Sequence, residues 1–159
     1  MSITIKKMET DAEIRGKARV ACLAWHETYP GLIAQDYLDT VTVEKCEKAA
    51  YDHPWNTFVA KDGERVVGFV FFGDDKEDSS LGEIFALYVL KEYYGTGLGR
   101  RLMDAALEQL RDRAAVRLWA VKGNGRALRF YEKCGFRPDG AEKYAERLSA
   151  TGIRLTLEK

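Results

Sequence analysis

The sequence predicts an α/β (α+β) fold, with helices packed on a mixed sheet, in one domain over residues 1–159. Three observations favour this class. Strand-like and helix-periodic segments alternate along the chain, and the second half contains two strand–helix units in succession. No linker, repeat or low-complexity tract interrupts them. The composition, 46% hydrophobic and 31% charged residues, is that of a globular protein.

Local signals indicate the order of the elements. Thr10 and Glu13 have the spacing of a capping box, which marks a helix start. Asp62-Gly63 between two apolar runs indicates a hairpin, and the acidic segment 73–80 is typical of a loop. In order, we expect a strand at 3–8, helices from 10, at 35–41 and at 43–51, strands at 57–60, 66–72 and 81–90, a helix to 110, a strand at 116–121, a helix at 124–131, and an extended segment from 136 that ends in a strand at 153–157.

Charge and cysteine content exclude several classes of function. Lys+Arg and Asp+Glu are both 25, so no net field attracts nucleic acid or an anionic membrane, and neither partner is expected. Cys22, Cys46 and Cys134 include no C-x-x-C pair, so we expect neither a disulfide framework nor a metal site. No apolar stretch approaches the roughly 20 residues that cross a bilayer, and the N-terminus lacks a signal-peptide core. A cytoplasmic location is therefore expected.

A glycine-rich turn follows the third apolar run. Alternate glycines in the segment 94–100, Tyr-Gly-Thr-Gly-Leu-Gly-Arg, lead directly into a helix. Glycine lets a ligand approach the backbone, and the first amides of a helix lack intrahelical partners, so this glycine turn predicts an anion site suited to a pyrophosphate. The spacing G-x-G-x-G differs from the dinucleotide fingerprint, and no Gly-Lys-Ser/Thr follows it. A glycine turn without any ligand is the alternative.

Two segments resemble motifs of the GNAT superfamily of N-acetyltransferases. The glycine turn resembles the acyl-CoA-binding motif Gln/Arg-x-x-Gly-x-Gly/Ala: Gly97 and Gly99 match, whereas Tyr94 stands where the family usually has Gln or Arg. The segment 124–136 resembles the downstream motif Asn-x-x-Ala-x-x-x-Tyr-x-x-x-Gly-Phe at all five fixed positions. The order of strands and helices also agrees over nearly the whole chain. The resemblance implies a mixed central sheet that is splayed in the middle, with helices on both faces.

The resemblance implies that acetyl-CoA is the acyl donor. Amides of the glycine turn would hold the pyrophosphate, and the preceding strand would pair with the pantetheine arm through its backbone. An amide near Val89 would polarise the thioester oxygen. Asn124, otherwise a plain helix cap, would contact the cofactor arm. The implied cofactor-binding residues are Leu87, Tyr88, Val89, Tyr94, Gly95, Thr96, Gly97, Leu98, Gly99, Arg100, Asn124 and Tyr131.

The resemblance also implies two catalytic residues. Tyr131 would act as general acid toward the departing CoA thiolate; a packed aromatic side chain is its alternative role. Glu83 stands where several family members carry a catalytic Glu that acts directly or through water; a solvated strand residue is the alternative. The implied reaction is direct attack of an amine on the thioester in a ternary complex, without a covalent enzyme intermediate.

The end of the first helix is where the family shapes its acceptor pocket. Trp25, His26, Glu27 and Tyr29 are therefore predicted to bind the acceptor, with core or rim packing as the alternative. The acceptor stays open among polyamines, amino acids, antibiotics, peptide N-termini and protein lysines, and a homodimer is the default assembly. Two other functions stay open: a non-catalytic acyl-CoA-binding or sensor module on the same fold, and a domain that binds another phosphate ligand such as a nucleotide.

Overall fold

A computed structural model describes residues 2–159, which form a mixed seven-stranded sheet covered by helices. Two 3-10 turns, Lys91–Tyr93 and Glu146–Leu148, connect elements. No helix in this range is both long and apolar enough to cross a membrane. The strands are β1 (Ile3–Lys7), β2 (Thr57–Asp62), β3 (Arg65–Asp74), β4 (Gly82–Val89), β5 (Ala115–Val121), β6 (Arg137–Ala145) and β7 (Ala150–Glu158); the helices are α1 (Asp11–Thr28), α2 (Gln35–Leu38), α3 (Val43–Asp52), α4 (Leu98–Gln109) and α5 (Gly125–Lys133).

The predicted capping box at the start of α1 is confirmed. The Glu13 amide donates to the Thr10 hydroxyl, and the Thr10 amide donates to the Glu13 carboxylate, both at 3.1 Å. The same carboxylate is buried and receives Lys6 of β1 at 2.7 Å and Lys61 of β2 at 3.1 Å. Burial alone would raise the pKa of Glu13, but these hydrogen bonds outweigh burial and lower the pKa to about 2. One carboxylate therefore fixes α1 against the first two strands.

Helices cover both faces of the sheet, as the predicted fold class requires. Gly68 and Phe69 follow one another in β3, so they face opposite sides. A Cβ at Gly68 would lie 3.2 Å from Leu102 of α4, whereas Lys17 of α1 lies 5.2 Å from the centre of the Phe69 ring. The sheet is thus sandwiched between α1 on one side and α4 on the other.

The sheet is splayed between β4 and β5, which confirms the implied architecture. The strand order is β1-β2-β3-β4-β5-β7-β6, and β4 and β5 are the one parallel pair in residues 2–159. They pair from Gly82 with Val116 to Ile84 with Leu118 and then separate. We call the opening between residues 85–89 of β4 and 119–121 of β5 the cleft. A register shift in the β3–β4 pairing, beside Phe85, marks the point where β4 leaves β5.

The C-terminal part differs from the expectation in detail. The segment after Phe136 forms a long antiparallel hairpin of β6 and β7, in which β7 lies between β5 and β6. Sequence reasoning identified β6 only as extended, because β6 is largely exposed and carries no apolar alternation. Polar contacts hold it instead: the Asp139 carboxylate accepts hydrogen bonds from Arg154 at 2.6 Å and Thr156 at 2.7 Å.

A second, smaller hydrophobic cluster sits beside the main core. It is centred on Ile33, Leu38 and Ala150, so it joins the segment after α1 to the start of β7. The Ala34 amide reinforces this contact by donating to the Leu148 carbonyl at 2.7 Å. The aromatic residues at the end of α1 pack on this cluster. They are Trp25 and Tyr29, with Tyr37 of α2.

Candidate active site

A cavity of about 710 Å³ occupies the cleft. Residues of β4 and β5 form two of its walls, and the end of α1, the glycine turn and one face of α5 complete it. Most of the predicted cofactor-binding residues line this one cavity. They are Leu87, Tyr88, Val89, Tyr94, Gly95, Gly97, Leu98, Gly99, Arg100, Asn124 and Tyr131.

Thr96 is the predicted cofactor-binding residue that does not line the cavity. Its hydroxyl donates to the Tyr93 carbonyl at 2.6 Å and accepts the Leu98 amide at 3.4 Å. Thr96 therefore shapes the glycine turn from behind. The sequence motif located the turn, but it did not separate the residues that face the cavity from those that support the loop.

The glycine turn presents the start of α4 to the cavity. Gly97 is the N-cap of α4 and has φ 83°, a left-handed conformation that disfavours a side chain. The N-cap of this helix has no side chain, and only the Leu98 amide meets the Thr96 hydroxyl. The next amides, of Gly99 and Arg100, are therefore left for a ligand. At Gly99 the space is tight: a Cβ there would lie 3.2 Å from the Phe130 ring, which would have to shift to admit it. The turn thus offers backbone donors and a helix N-terminus where an anion binds well.

The edge of β4 that faces the cleft is bare. From Phe85 onward β4 pairs with β3 on one side, for example Leu87 with Val70, and has no β5 partner on the other. Backbone N–H and C=O groups need hydrogen-bond partners, and an extended chain laid along a sheet edge supplies them. The cleft is therefore shaped for a slender extended ligand.

Three tyrosines meet in the cavity. The Tyr29 and Tyr88 hydroxyls are 2.9 Å apart and share a hydrogen bond, which joins the end of α1 to β4. Tyr131, on α5, lines the same cavity. Burial raises the pKa of all three phenols, in Tyr29 against the opposing effect of its bond to Tyr88. Each phenol is thus protonated at neutral pH and can donate a hydrogen bond.

Charges on the cavity wall are segregated by element. Four cations come from the segments around the glycine turn and from α5: Lys91, Arg100, Arg126 and Lys133. Within residues 2–159, Glu27 at the end of α1 is the one carboxylate on the wall. The cations suit a ligand with several phosphates, and the carboxylate suits an ammonium group.

Glu83, the predicted base, does not line the cavity. Its buried carboxylate accepts the Lys76 amide at 3.0 Å, beside an ion pair between Asp75 and Arg117 at 2.7 Å. Burial raises the pKa of Glu83 and the Asp75 charge adds to the rise, while the Lys76 amide opposes it. Glu83 lies two residues before Phe85, where the cleft begins, so a direct contact with substrate is not part of this geometry.

Of the four predicted acceptor-binding residues, Glu27 and Tyr29 line the cavity and the other two do not. Trp25 packs edge-on against Tyr29, with ring centres 4.7 Å apart. The His26 imidazole is hydrogen-bonded to the Val41 carbonyl at 2.8 Å, which ties α1 to the segment before α3. Trp25 and His26 therefore support the wall that Glu27 and Tyr29 form.

Sequence reasoning missed several residues of the wall. Phe85 and Trp119 line it where β4 and β5 separate, and Lys91 and Lys133 supply charge. Arg126 stacks on Tyr94, with its guanidinium carbon 3.4 Å from the ring centre. Arg126 lies inside the second motif, two residues after Asn124, so its position was a usable signal. In the described range no three His, Cys, Asp or Glu side chains are grouped as metal ligands.

Comparison with known proteins agrees with this geometry. Residues 19–136 match the model of the acetyltransferase (GNAT) family. A probable N-acetyltransferase of Mycobacterium tuberculosis is 29% identical over 135 residues, which are 81% of this chain and 77% of that protein. An uncharacterized N-acetyltransferase of Mycobacterium bovis is 36% identical over 89 residues, 54% of each chain.

Solved structures share the fold at lower identity. The PaiA N-acetyltransferase of Thermoplasma acidophilum, in complex with coenzyme A, has a TM-score of 0.78 at 20% identity over 100% of both chains. Ard1 of Thermoplasma volcanium has a TM-score of 0.72 at 24% identity over 99% of this chain and 98% of that one. The structural likeness concerns the fold, whereas the family model matches most of the sequence. The chain belongs to the acetyltransferase (GNAT) family.

Proposed function

We propose that this protein transfers the acetyl group of acetyl-CoA to a primary amine. The observation that carries the proposal is the division of the cavity wall: cations and helix amides line one side, and a single carboxylate in the described range lines the other, with Tyr131 of α5 on the wall of the same cavity. The donor carries phosphates and the acceptor carries an ammonium group, so each substrate has a matching wall. Coenzyme A in the related PaiA structure supports the donor assignment.

The donor fits the cleft through backbone contacts. The amides at the start of α4, after Gly97, are oriented for the pyrophosphate, and the bare edge of β4 suits the extended pantetheine arm. Leu87 and Val89 supply the pairing groups on that edge. Asn124 caps α5 by accepting the Ala127 amide at 3.3 Å, and it also lines the cavity, so it can contact the arm without losing its structural role.

Tyr131 is the proposed general acid. The amine nitrogen forms a bond to the thioester carbon and loses a proton to solvent, the C–S bond breaks, and the phenol donates a hydrogen bond to the sulfur, which leaves as a thiolate. A thiol has a pKa of about 8.5, so full transfer from a phenol whose pKa burial has raised is uphill. A hydrogen bond from the neutral phenol to the sulfur, which strengthens as negative charge develops there, stabilises the transition state without full transfer.

The acceptor must reach the cleft as a free amine. An alkylammonium has a pKa of about 10, so at neutral pH a proton has to leave before attack. We assign recognition of the ammonium to Glu27 and positioning of the amine to the Tyr29–Tyr88 pair. Glu83, with a raised pKa and no direct access, is proposed to accept the proton through water.

The first experiment measures binding and turnover separately. The purified protein is titrated calorimetrically with acetyl-CoA, and with ATP and NAD as controls; a panel of primary amines is then assayed by release of free thiol. Saturable binding of acetyl-CoA alone, with thiol release that depends on an amine, supports the proposal. Acetyl-CoA binding without turnover on any amine would indicate a non-catalytic acyl-CoA-binding module, and equal binding of ATP would indicate a nucleotide site.

A further inference from the structure

One side-chain pair links the segments that follow β4 and β5, the two strands of the cleft, on its cationic side. Tyr94 follows β4, and Arg126 lies in the first turn of α5, which follows β5. The guanidinium carbon of Arg126 lies 3.4 Å from the centre of the Tyr94 ring, and both residues line the cavity. Because β4 and β5 pair no further than Ile84 and Leu118, this stack connects the two sides of the cleft where the sheet is open.

Arg126 is held by stacking alone. In residues 2–159 no hydrogen bond or ion pair engages its guanidinium, whereas Arg100 on the same wall is paired with Asp104 at 3.0 Å and bonded to the Lys133 carbonyl at 3.3 Å. A guanidinium stacked on a ring keeps its five N–H donors free at its edge, and their planar fork matches a phosphate. Arg126 is therefore both positioned and available for an anion.

The departure of Tyr94 from the family motif fits this arrangement. That motif position acts largely through its backbone, so its side chain is free to take another role. Here the half-buried Tyr94 ring is the platform that orients Arg126. Neither Gln nor a small residue offers an aromatic face for a cation.

We infer that Tyr94 and Arg126 form a strap across the cofactor cleft. The strap opens to admit the pantetheine arm, and when it closes the Arg126 guanidinium binds a phosphate of coenzyme A. It thereby controls how fast coenzyme A dissociates. This inference rests on the proposed function, because that function supplies the ligand.

The test is the dissociation rate of coenzyme A, measured by stopped-flow displacement for the wild type, Arg126→Gln, Tyr94→Leu and the double variant. We expect dissociation to be about 10-fold faster in Arg126→Gln, since a charged hydrogen bond is lost. We expect about 3-fold in Tyr94→Leu, since only the stacking is lost. The double variant should be no faster than Arg126→Gln, because Tyr94 acts through Arg126.

Arg129→Gln is the matched control. It removes the same charge from α5 one turn later, at an exposed residue outside the cavity, and should change the rate less than about 2-fold. Repeating the series with dephospho-coenzyme A locates the contact. If Arg126→Gln accelerates the dissociation of coenzyme A alone, Arg126 binds the 3′-phosphate. If it accelerates the dissociation of both ligands, Arg126 binds the pyrophosphate. Either result supports the strap.

Three outcomes would overturn the inference. The first is a dissociation rate in Arg126→Gln equal to that in Arg129→Gln. The second is additivity of the effects of Tyr94→Leu and Arg126→Gln, which would make the two side chains independent. In either case the wild type still binds coenzyme A, so the strap is rejected and the proposed function is unaffected. If the folded wild type does not bind coenzyme A at all, both fall together.

Discussion

The proposed donor wall and the proposed acceptor wall of the cavity are built in different ways. The donor wall uses mainly backbone, namely the amides after Gly97 and the bare edge of β4, and cationic side chains add charge to it. The acceptor wall uses side chains, Glu27 and Tyr29, which a separate hydrophobic cluster supports. A backbone site is specified by glycine spacing and survives much substitution, whereas a side-chain site changes with each residue. The two walls should therefore tolerate substitution to different degrees, and single substitutions in each wall test this difference.

Tyr131→Phe should lower kcat about 100-fold and leave the affinity for acetyl-CoA nearly unchanged, because only the hydrogen bond to the departing sulfur is lost. Steady-state kinetics and calorimetry measure the two quantities. Tyr144→Phe, at a 61% exposed residue of β6, is the control. Unchanged turnover in Tyr131→Phe would remove this residue from the mechanism and leave the meeting point of the walls without an acid.

Gly97→Ala should weaken acetyl-CoA binding about 10-fold or more, because a Cβ would strain the turn and displace the amides from the pyrophosphate. Gly63→Ala is the matched control: Gly63 has φ 62°, Gly97 has φ 83°, and neither Cβ would meet another atom within 4 Å. Both variants should lose similar thermal stability, and only Gly97→Ala should lose affinity. Equal affinities would mean that the donor wall does not depend on this backbone.

Glu27→Gln should raise the KM for the amine about 5-fold without changing acetyl-CoA affinity, because the ammonium loses its charge partner. Asp36→Asn removes a nearby exposed charge outside the cavity and should leave KM alone. Weaker acetyl-CoA binding in Glu27→Gln would contradict the separation of the walls.

Glu83→Gln should show its effect in the pH dependence of stability. The pKa of Glu83 is raised in the folded state, so this group favours folding below its ordinary value of 4.5, and that contribution is lost as pH rises through the folded pKa. The melting temperature of the variant, relative to the wild type, should therefore rise between about pH 4 and pH 7. A flat difference would show that Glu83 is solvated, which would also weaken its proposed role as base.

Some elements of the fold could be predicted from the sequence and others could not. The capping box at Thr10, the hairpin at Asp62-Gly63 and the helix after the glycine turn are local signals, and the structure confirms each. The sequence did not predict β6 as a strand, because its contacts are polar and involve residues distant in the chain, such as Arg154. Local periodicity carries no information about such pairs.

The acceptor wall was predictable only as a region. The sequence indicated the end of α1, but which of its residues faces the cavity depends on how the helix is rotated against the second cluster. That rotation places Glu27 and Tyr29 inward and leaves His26 bound to Val41. The surroundings of Glu83 could not be predicted either, because they are formed by Asp75 and Lys76, in a segment that the sequence indicated only as a polar loop.

The bare edge of β4 also bears on solubility. An exposed strand edge is a template for pairing with other protein chains and promotes aggregation. Here that edge is recessed between β4 and β5, behind the end of α1 and the glycine turn. Another protein chain would therefore have to pass the end of α1 and the glycine turn before it could pair with this edge. The same recess thus keeps backbone hydrogen-bonding groups available to a ligand and withholds them from other proteins.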